Sequence, residues 1–270
     1  NSTLAAALTA NKMSIALGHL ESGLRSFDRT MPEEINRILV DEISDYHFVT
    51  EKSGVDNLLK EGKNQETIFF VGNTMIDTLV AFENDIKSRT NLKDLRIEPN
   101  KFILMTLHRP ATVDNNNGLS SVLELLEKLT DKATVVFPVH PRTRNNIDKF
   151  GLEERLNQIE NLEILGPSDY FSFQNLIRQS RVVLTDSGGI QEETTFKQIP
   201  CFTLRPNTER PSTIIEGSNT LIDFDSDSIL TYIDSVFRGN YKDSSIPKYW
   251  DGEATQRILK IISKLPLSAV

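Results

Sequence analysis

The residues with the clearest chemical meaning lie in the segment Val182–Glu193. An apolar run, Val182–Thr185, is followed by Asp-Ser-Gly-Gly and then by a polar stretch of helical character. This order predicts a strand, a tight glycine turn and the start of a helix. The first N–H groups of a helix have no intrahelical partner, and the helix dipole favours anions there. Ser187, Gly188 and Gly189 are therefore predicted to hold a phosphate.

Two further features extend this phosphate site toward a nucleotide sugar. Glu193 lies about one turn into the predicted helix, where its carboxylate can accept hydrogen bonds from the hydroxyl pair of a ribose. The next predicted strand, Pro200–Leu204, leads into a loop that carries Arg205 and Arg210, whose positive charge suits a diphosphate. The whole segment therefore predicts a clamp for a nucleotide sugar.

Three of the four histidines follow apolar runs, namely His19, His108 and His140. Ligands of parallel sheets sit at the carboxyl ends of the strands, so these positions suit a binding site. For His19 and His140 a turn residue bonded to the backbone is an equally good interpretation. His108 is the stronger candidate because Arg109 follows it in a rigid cationic turn, and His47 is interpreted as structural.

Two carboxylates near the start of the chain are candidates for acid–base chemistry. Glu21 sits in a glycine-bounded turn just after an apolar run, which suits a carboxylate that faces a ligand. Glu33 follows Pro32 at a helix start, and its spacing alone favours a first-turn acid that stabilises the helix dipole. Helical neighbours diverge by about 100°, so at most one of Glu33 and Glu34 faces a site.

Short apolar runs alternate with amphipathic stretches along the chain, which predicts parallel sheets covered by helices on both faces. The fold class is α/β and doubly wound. The predicted strands are Met13–Leu17, Tyr46–Val49, Ile68–Val71, Phe102–Thr106, Thr134–Val139, Leu162–Leu165, Val182–Thr185, Pro200–Leu204 and Thr220–Ile222. The predicted helices include Glu34–Ile43, Leu119–Leu129, Asp148–Glu154, Phe173–Gln179 and a terminal Glu253–Lys264, while Asn91–Lys101 is predicted to be a polar connection.

Composition excludes several classes of function. The net charge of −8 argues against a nucleic-acid surface, and no apolar run is long enough to span a membrane, so the expected location is the cytoplasm. The single cysteine, Cys201, excludes an internal disulfide and a cysteine-based zinc cluster. Motifs of P-loop, dinucleotide, zinc-protease and serine-hydrolase sites are absent from the sequence, so no cofactor and no metal are expected.

Seven motifs, in the same order along the chain, resemble those of the non-hydrolysing UDP-N-acetylglucosamine 2-epimerases. They are Gly18–Arg25, Pro32–Arg37, Val71–Asp77, Thr106–Arg109, Pro138–Pro141, Thr185–Glu193 and Glu209–Pro211. Together with Asp251–Ala254, they extend the resemblance over nearly the whole chain. The resemblance implies a homodimer that interconverts UDP-N-acetylglucosamine and UDP-N-acetylmannosamine by expelling UDP and adding it back, through a 2-acetamidoglucal.

The resemblance also implies an architecture and a set of site residues. The fold would be glycosyltransferase-B-like, with two Rossmann-like domains at 1–71 and 72–248 and a terminal helix, 249–270, that packs back on the first. The matching residues would serve as catalytic groups (Glu21, Glu33 and His108), as UDP ligands (Ser168, Phe173, Ser187, Gly188, Gly189, Glu193 and Arg210) and as further groups near the phosphates (Arg109 and His140). The family usually has glutamine where this chain has Ser168.

The family has a further N-terminal segment with a glycine-rich turn and a Gly-Asp pair whose aspartate is catalytic. The first domain is therefore expected to be incomplete here, and this fragment alone to be inactive. Two alternatives stay open. A glycosyltransferase of the same fold would use the same nucleotide clamp, although Glu21 and Glu33 together favour the epimerase. A catalytically dead module that only binds a nucleotide sugar is the other alternative.

Overall fold

A computed structural model of the chain describes residues 1–89, 92, 95 and 97–265. Numbered along the chain, the strands are β1 Gly18–Leu20, β2 Tyr46–Val49, β3 Ile68–Phe70, β4 Phe102–Thr106, β5 Thr134–Pro138, β6 Leu162–Leu165, β7 Val182–Thr185, β8 Cys201–Leu204 and β9 Asn219–Ile222. The helices are α1 Ser2–Lys12, α2 Pro32–Ile43, α3 Lys52–Lys60, α4 Thr74–Ala81, α5 Glu83–Ser88, α6 Pro110–Val113, α7 Asn116–Thr130, α8 Pro141–Lys149, α9 Glu153–Asn157, α10 Tyr170–Gln179, α11 Gly188–Lys197, α12 Ser212–Ile215, α13 Ser226–Phe237 and α14 Ala254–Ile262.

The described residues fall into two compact units. Unit 1 comprises Asn1–Ala81, Asn207–Glu216 and the described residues from Ile246 onward, whereas unit 2 comprises those of Phe82–Pro206 and Gly217–Ser245. Each unit has one parallel sheet with helices, so the predicted α/β class with two parallel-sheet domains is confirmed. The compact units divide after Ala81, and α4 contacts α14 within unit 1, while the domain boundary at 71/72 stays a prediction.

The sheet of unit 1 has the order β1-β2-β3. Helix α14 joins its core, where Ile258 packs with Phe48 and Val71. The N-terminus of α14 is held by Asp77, whose carboxylate accepts bonds from the backbone N–H of Ala254 and Thr255 at 3.0 and 2.6 Å. These contacts tie the last described helix to the first part of the chain.

The sheet of unit 2 has six strands in the order β6-β5-β4-β7-β8-β9, all parallel among the described residues. Alternate residues of its strands pack into two different hydrophobic cores. Ile103 and Met105 of β4 face the core that contains helices α7 and α13, whereas Phe102 and Leu104 face the core that contains α10 and α11. Because both faces are covered by helices, the strands read as continuous apolar runs in the sequence.

Most predicted strands match the structure to within a residue or two, but one predicted strand and one predicted helix were wrong. Met13–Leu17 is not a strand, because Met13 caps α1 and the pairing with β2 starts at Gly18, opposite Tyr46. Asp148–Glu154 is not one helix, because the chain turns between α8 and α9 at Gly151, whose φ is +69°. The connection predicted over Asn91–Lys101 lies partly outside the described residues.

Candidate active site

The candidate site of unit 2 lies where the strand order reverses. Strands β4 and β7 are neighbours, and the chain continues outward from them in opposite directions across the sheet. Ligands of doubly wound sheets bind outside the carboxyl ends of the two strands at such a switch point. Here those ends are Thr106 and Thr185, whose hydroxyl oxygens lie 2.8 Å apart.

Asp186, which is fully buried directly after β7, organises this edge. Its carboxylate accepts the backbone N–H of His108 at 3.0 Å and that of Arg109 at 2.8 Å, and it faces Nδ1 of His108 at 2.9 Å. Burial opposes its ionisation, but the His108 bond and the Arg109 N–H together hold the pKa of Asp186 below its ordinary value. Asp186 therefore fixes the loop after β4, a role that the sequence analysis did not assign to it.

A pocket of about 230 Å³ opens at this edge of unit 2. Several predicted residues line it, namely His108, His140, Ser168, Phe173 and Ser187, together with apolar residues such as Leu107, Val139, Pro167 and Ile190. Residues from four separate connections of the sheet therefore meet at one pocket, as the rule for carboxyl ends predicts.

The two histidines of this pocket have their ring centroids 5.3 Å apart. His140 caps α8, since its Nδ1 accepts the backbone N–H of Arg142 at 3.1 Å. A neutral imidazole that accepts at Nδ1 carries its proton on Nε2, so His140 offers a hydrogen-bond donor. His108 is bound to Asp186 instead, and Arg109 donates through Nε to the backbone oxygen of Asp186 at 3.0 Å.

Helix α11 begins at the same edge. Its N-cap is Ser187, and within the described chain the hydroxyl of Ser187 makes no capping bond to the helix. The phosphate site at the start of α11, with Gly188 and Gly189, stays a prediction that this uncapped helix start suits. Glu193 lies further along α11, and burial raises its pKa to about 7, with Gln174 and Lys197 offsetting only part of that effect.

Unit 1 contains a second pocket, of about 250 Å³, whose lining is more polar. Its lining residues are Asn1, Thr3, His19, Glu21, Glu33, Asn36, Arg37, Val40 and Arg210. Both carboxylates predicted to be catalytic therefore share one pocket. Arg210, predicted to bind UDP, belongs to unit 1 and lines this pocket, so its role at the diphosphate stays a prediction.

The adjacent acids Glu33 and Glu34 have different surroundings. Glu33 is exposed and lines the pocket, whereas Glu34 is buried. The carboxylate of Glu34 accepts the backbone N–H groups of Ser26 and Phe27, each at 2.9 Å, and pairs with Arg37 at 2.7 Å. Glu34 is therefore a structural acid that stabilises the loop before α2, and Glu33 is the one of the two that lines the pocket.

Charged groups on α2 and on the segment before α12 meet at this pocket. Arg37 lies 3.5 Å from Glu209, and Arg210 forms an ion pair with the same carboxylate. His19 lines the pocket and binds the buried Asp41 at 2.6 Å through Nδ1. Asp41 was not predicted as a site residue, although an acid on the buried face of an amphipathic helix is a signal, because a buried charge requires partners.

Three structural observations bear on other classes of function. Among the described residues, no group of three or more His, Cys, Asp or Glu side chains is arranged to hold a metal ion. None of the described helices combines the length and apolar character that a membrane span needs. Cys201 is buried, and burial raises the pKa of its thiol to about 11, so it is the inert core residue that its strand position indicates.

One unit is doubly wound with a helix start of the type that suits a phosphate, and the other has paired carboxylates at one pocket, which together indicate an α/β protein of nucleotide-sugar chemistry. Comparison with known families agrees with this class, since the family model described as UDP-N-acetylglucosamine 2-epimerase matches residues 1–263. The chain belongs to the UDP-N-acetylglucosamine 2-epimerase family.

Individual relatives show the same relationship. The UDP-N-acetylglucosamine 2-epimerase of Methanococcus maripaludis is 38% identical over 97% of this chain and 72% of its own length. The UDP-2,3-diacetamido-2,3-dideoxy-D-glucuronate 2-epimerase of Pseudomonas aeruginosa is 37% identical over 98% of this chain and 73% of its own. A crystal structure of the Methanocaldococcus jannaschii UDP-GlcNAc 2-epimerase with UDP-GlcNAc and UDP superposes with a TM-score of 0.85, at 36% identity, over 97% of this chain and 72% of that one.

Proposed function

We propose that this protein is a non-hydrolysing epimerase that interconverts UDP-N-acetylglucosamine and UDP-N-acetylmannosamine at C2. The observation that carries the proposal is the shared pocket of Glu21 and Glu33. Inversion at C2 requires a proton to leave one face of the sugar and to arrive on the other, and two carboxylates at one pocket suit that task. A sugar transfer to an acceptor has no need for such a pair.

The reaction has two stages in this proposal. In the first, a base removes the C2 proton, the C1–oxygen bond to UDP breaks, and a double bond forms between C1 and C2, which gives 2-acetamidoglucal and UDP. In the second, the same phosphate oxygen of UDP attacks C1, and an acid delivers a proton to the other face of C2. No carbonyl activates the C2–H bond, so stabilising the departing UDP must supply much of the catalysis.

The residues of unit 2 suit the UDP part of this scheme. The start of α11 and the Nε2–H of His140 supply donors for phosphate oxygens, and His108 is held at the same pocket by Asp186. Donors that are fixed before the reaction stabilise growing charge without reorganising. Ser168 and Phe173 line the same pocket and are proposed to lie near the uracil, while Glu193 is proposed to bind the ribose.

The test is proton NMR of the protein, expressed from its complete gene, with UDP-N-acetylglucosamine in deuterated water. Deuterium at C2 together with a UDP-N-acetylmannosamine signal is the expected result. Tight UDP binding without exchange or a new sugar would overturn the epimerase and leave a transferase or a binding module. Because one relative is named for a diacetamido glucuronate, UDP-2,3-diacetamido-2,3-dideoxy-D-glucuronate is run in parallel, and faster exchange on it would reassign the sugar.

The family resemblance is the support for a homodimer. Sedimentation velocity of the same preparation tests it, with a single species of twice the chain mass as the expected result and a monomer as the contrary one.

A further inference from the structure

Asp41 of α2 is a buried carboxylate to which the scheme above gives no role. It accepts bonds from Nδ1 of His19 at 2.6 Å, from the hydroxyl of Ser22 at 2.5 Å and from the backbone N–H of Gly23 at 3.0 Å. It also pairs with the guanidinium of Arg25 at 2.7 Å. All four partners come from the short segment that surrounds Glu21.

Asp41 remains a charged acceptor despite its burial. Its residue is 0% exposed, and burial opposes ionisation, yet the bonds from His19 and Ser22 and the charge of Arg25 lower the pKa of Asp41 to about 2. Hydrogen bonds to an ionised acceptor are roughly twice as strong as those between neutral groups. Asp41 therefore restrains this segment more firmly than a neutral residue would.

The restraint matters because Glu21 has an unusual backbone. Its φ is +62°, in the left-handed region that residues other than glycine seldom adopt. Such a conformation persists only when the surroundings fix it, and here the residues on both sides of Glu21 are bonded to Asp41. The segment is further fixed by Gly23, where a Cβ atom would lie 2.3 Å from the backbone oxygen of Gly54.

Asp41 also selects the proton position on His19. A carboxylate accepts at Nδ1, so a neutral His19 carries its proton there and presents Nε2 as an acceptor. The His19 ring lines the pocket of Glu21 and Glu33. Nε2 is thus the ring nitrogen available to a sugar hydroxyl or amide in that pocket.

We propose that Asp41 is a positioning residue for the epimerisation. It directs the carboxylate of Glu21 into the pocket and keeps His19 in the tautomer whose Nε2 accepts a hydrogen bond from the sugar. This inference rests on the proposed function, which it deepens by assigning the residue that aligns one of the two acid–base groups.

The test is Asp41→Asn in the complete protein, with UDP-N-acetylglucosamine as substrate. We expect kcat to fall about a hundredfold, because small misplacements of a reacting group cost this much. KM and the Kd for UDP should stay within about threefold of wild type, since most of the residues proposed to bind UDP belong to unit 2. Nitrogen-15 shifts of His19 should move from the Nδ1–H to the Nε2–H pattern, which a merely structural role would not change.

Asp77→Asn is the matched control. It also replaces a carboxylate of unit 1 that accepts two backbone N–H groups, but at the start of α14. We expect it to lower stability and to leave kcat, per folded molecule, within about twofold. A folded Asp41→Asn protein that keeps kcat within threefold, or that keeps the Nδ1–H tautomer, would overturn the proposal.

Two provisions keep the test decisive. If Asp41→Asn does not fold, Ser22→Ala replaces it, since that change removes one bond to Asp41 beside Glu21; a loss of about tenfold in kcat at constant KM supports the proposal, and no loss overturns it. If the wild type shows no C2 exchange, the proposed function fails, while the tautomer of His19 in the ligand-free protein still tests the link to Asp41 by itself.

Discussion

The two candidate pockets are built by different means. The pocket of unit 2 has largely apolar walls, and its position follows from strand order and from the start of one helix. The pocket of unit 1 is lined mainly by polar and charged side chains held in a network of buried ion pairs around Asp41, Glu34 and Arg25. The comparison indicates that backbone topology positions the proposed nucleotide site, whereas side-chain electrostatics position the proposed acid–base site.

The greatest loss of activity is expected when the carboxylates of the unit 1 pocket are replaced. Glu21→Gln and Glu33→Gln should each lower the rate of C2 exchange by about a thousandfold, because general acid–base groups contribute on this scale. UDP binding, measured by calorimetry, should change far less than C2 exchange, since most of the residues proposed to bind UDP belong to unit 2. Glu42→Gln is the control on the same helix as Glu33, because Glu42 is exposed and pairs only with Lys63 in the described contacts. If both variants exchanged the C2 proton at the wild-type rate, the pocket of unit 1 would have no acid–base role and the proposed contrast between the two pockets would be wrong.

The next effect concerns the pH dependence of unit 2. The folded-state pKa of Glu193 is about 7 against an ordinary 4.5, so the folded protein holds a proton that the unfolded chain loses across that window. The contribution of Glu193 to the free energy of unfolding is therefore fully present at low pH and is lost as the pH rises toward 7. Each pKa unit is worth about 1.4 kcal/mol, so Glu193→Gln should stabilise the protein by about 3 kcal/mol at pH 8 and hardly at pH 4.5.

Urea denaturation at pH 4.5 and pH 8 measures this difference. Glu124→Gln, on the exposed face of α7, serves as the control. A stability gain for Glu193→Gln that is the same at both pH values would contradict the assignment of a buried, proton-binding carboxylate in unit 2.

A smaller effect should follow from Asp186→Asn. The change removes the charged acceptor of the His108 and Arg109 N–H groups, so UDP affinity should fall about thirtyfold, or by about 2 kcal/mol. Isothermal calorimetry with UDP measures the loss, and Asp114→Asn, at an exposed pair with Arg142, is the control. Unchanged affinity would show that the loop after β4 does not depend on its charged anchor.

The smallest effect is expected away from both pockets. Asp77→Asn weakens the cap of α14 and should cost about 1 kcal/mol of unfolding free energy, in the range of helix-cap losses. Urea denaturation measures it. A loss of several kcal/mol would show that α14 is essential to the whole of unit 1 rather than a helix packed on it.

The elements of unit 2 could be predicted well because their signals are local. Apolar runs followed by His108, His140 and the Gly188-Gly189 turn are visible in the sequence, and parallel sheets bring such carboxyl ends to one edge.

The predicted strand Met13–Leu17 was wrong because the position of a strand also depends on its pairing partner, which is not a local signal. Apolar composition favoured it, but pairing with the distant β2 sets the register, and no local pattern reveals that partner.

The pocket of Glu21 and Glu33 could be predicted only in part. Glu21 was a candidate from its turn, whereas Glu33 was assigned from the family resemblance, because its spacing alone favoured a first-turn acid. Spacing alone left open which of Glu33 and Glu34 faces the pocket, and the resemblance selected Glu33. The physical reason lies in the fold, because Ser26 and Phe27 present their N–H groups to Glu34. The role of Asp41 was missed because its partners precede it by about twenty residues and approach it only in the folded chain.

The α/β class, most strands, the helix start that suits a phosphate, and the family could all be inferred from the amino-acid sequence. These features depend on residue type and on spacing along the chain, which a linear pattern records. Which carboxylates are buried and hydrogen-bonded, and which face a pocket, became visible only in the folded chain. The surroundings of Asp41, Asp186 and Glu193 depend on burial and on donors from separate segments, and both are properties of the packed chain rather than of any stretch of it.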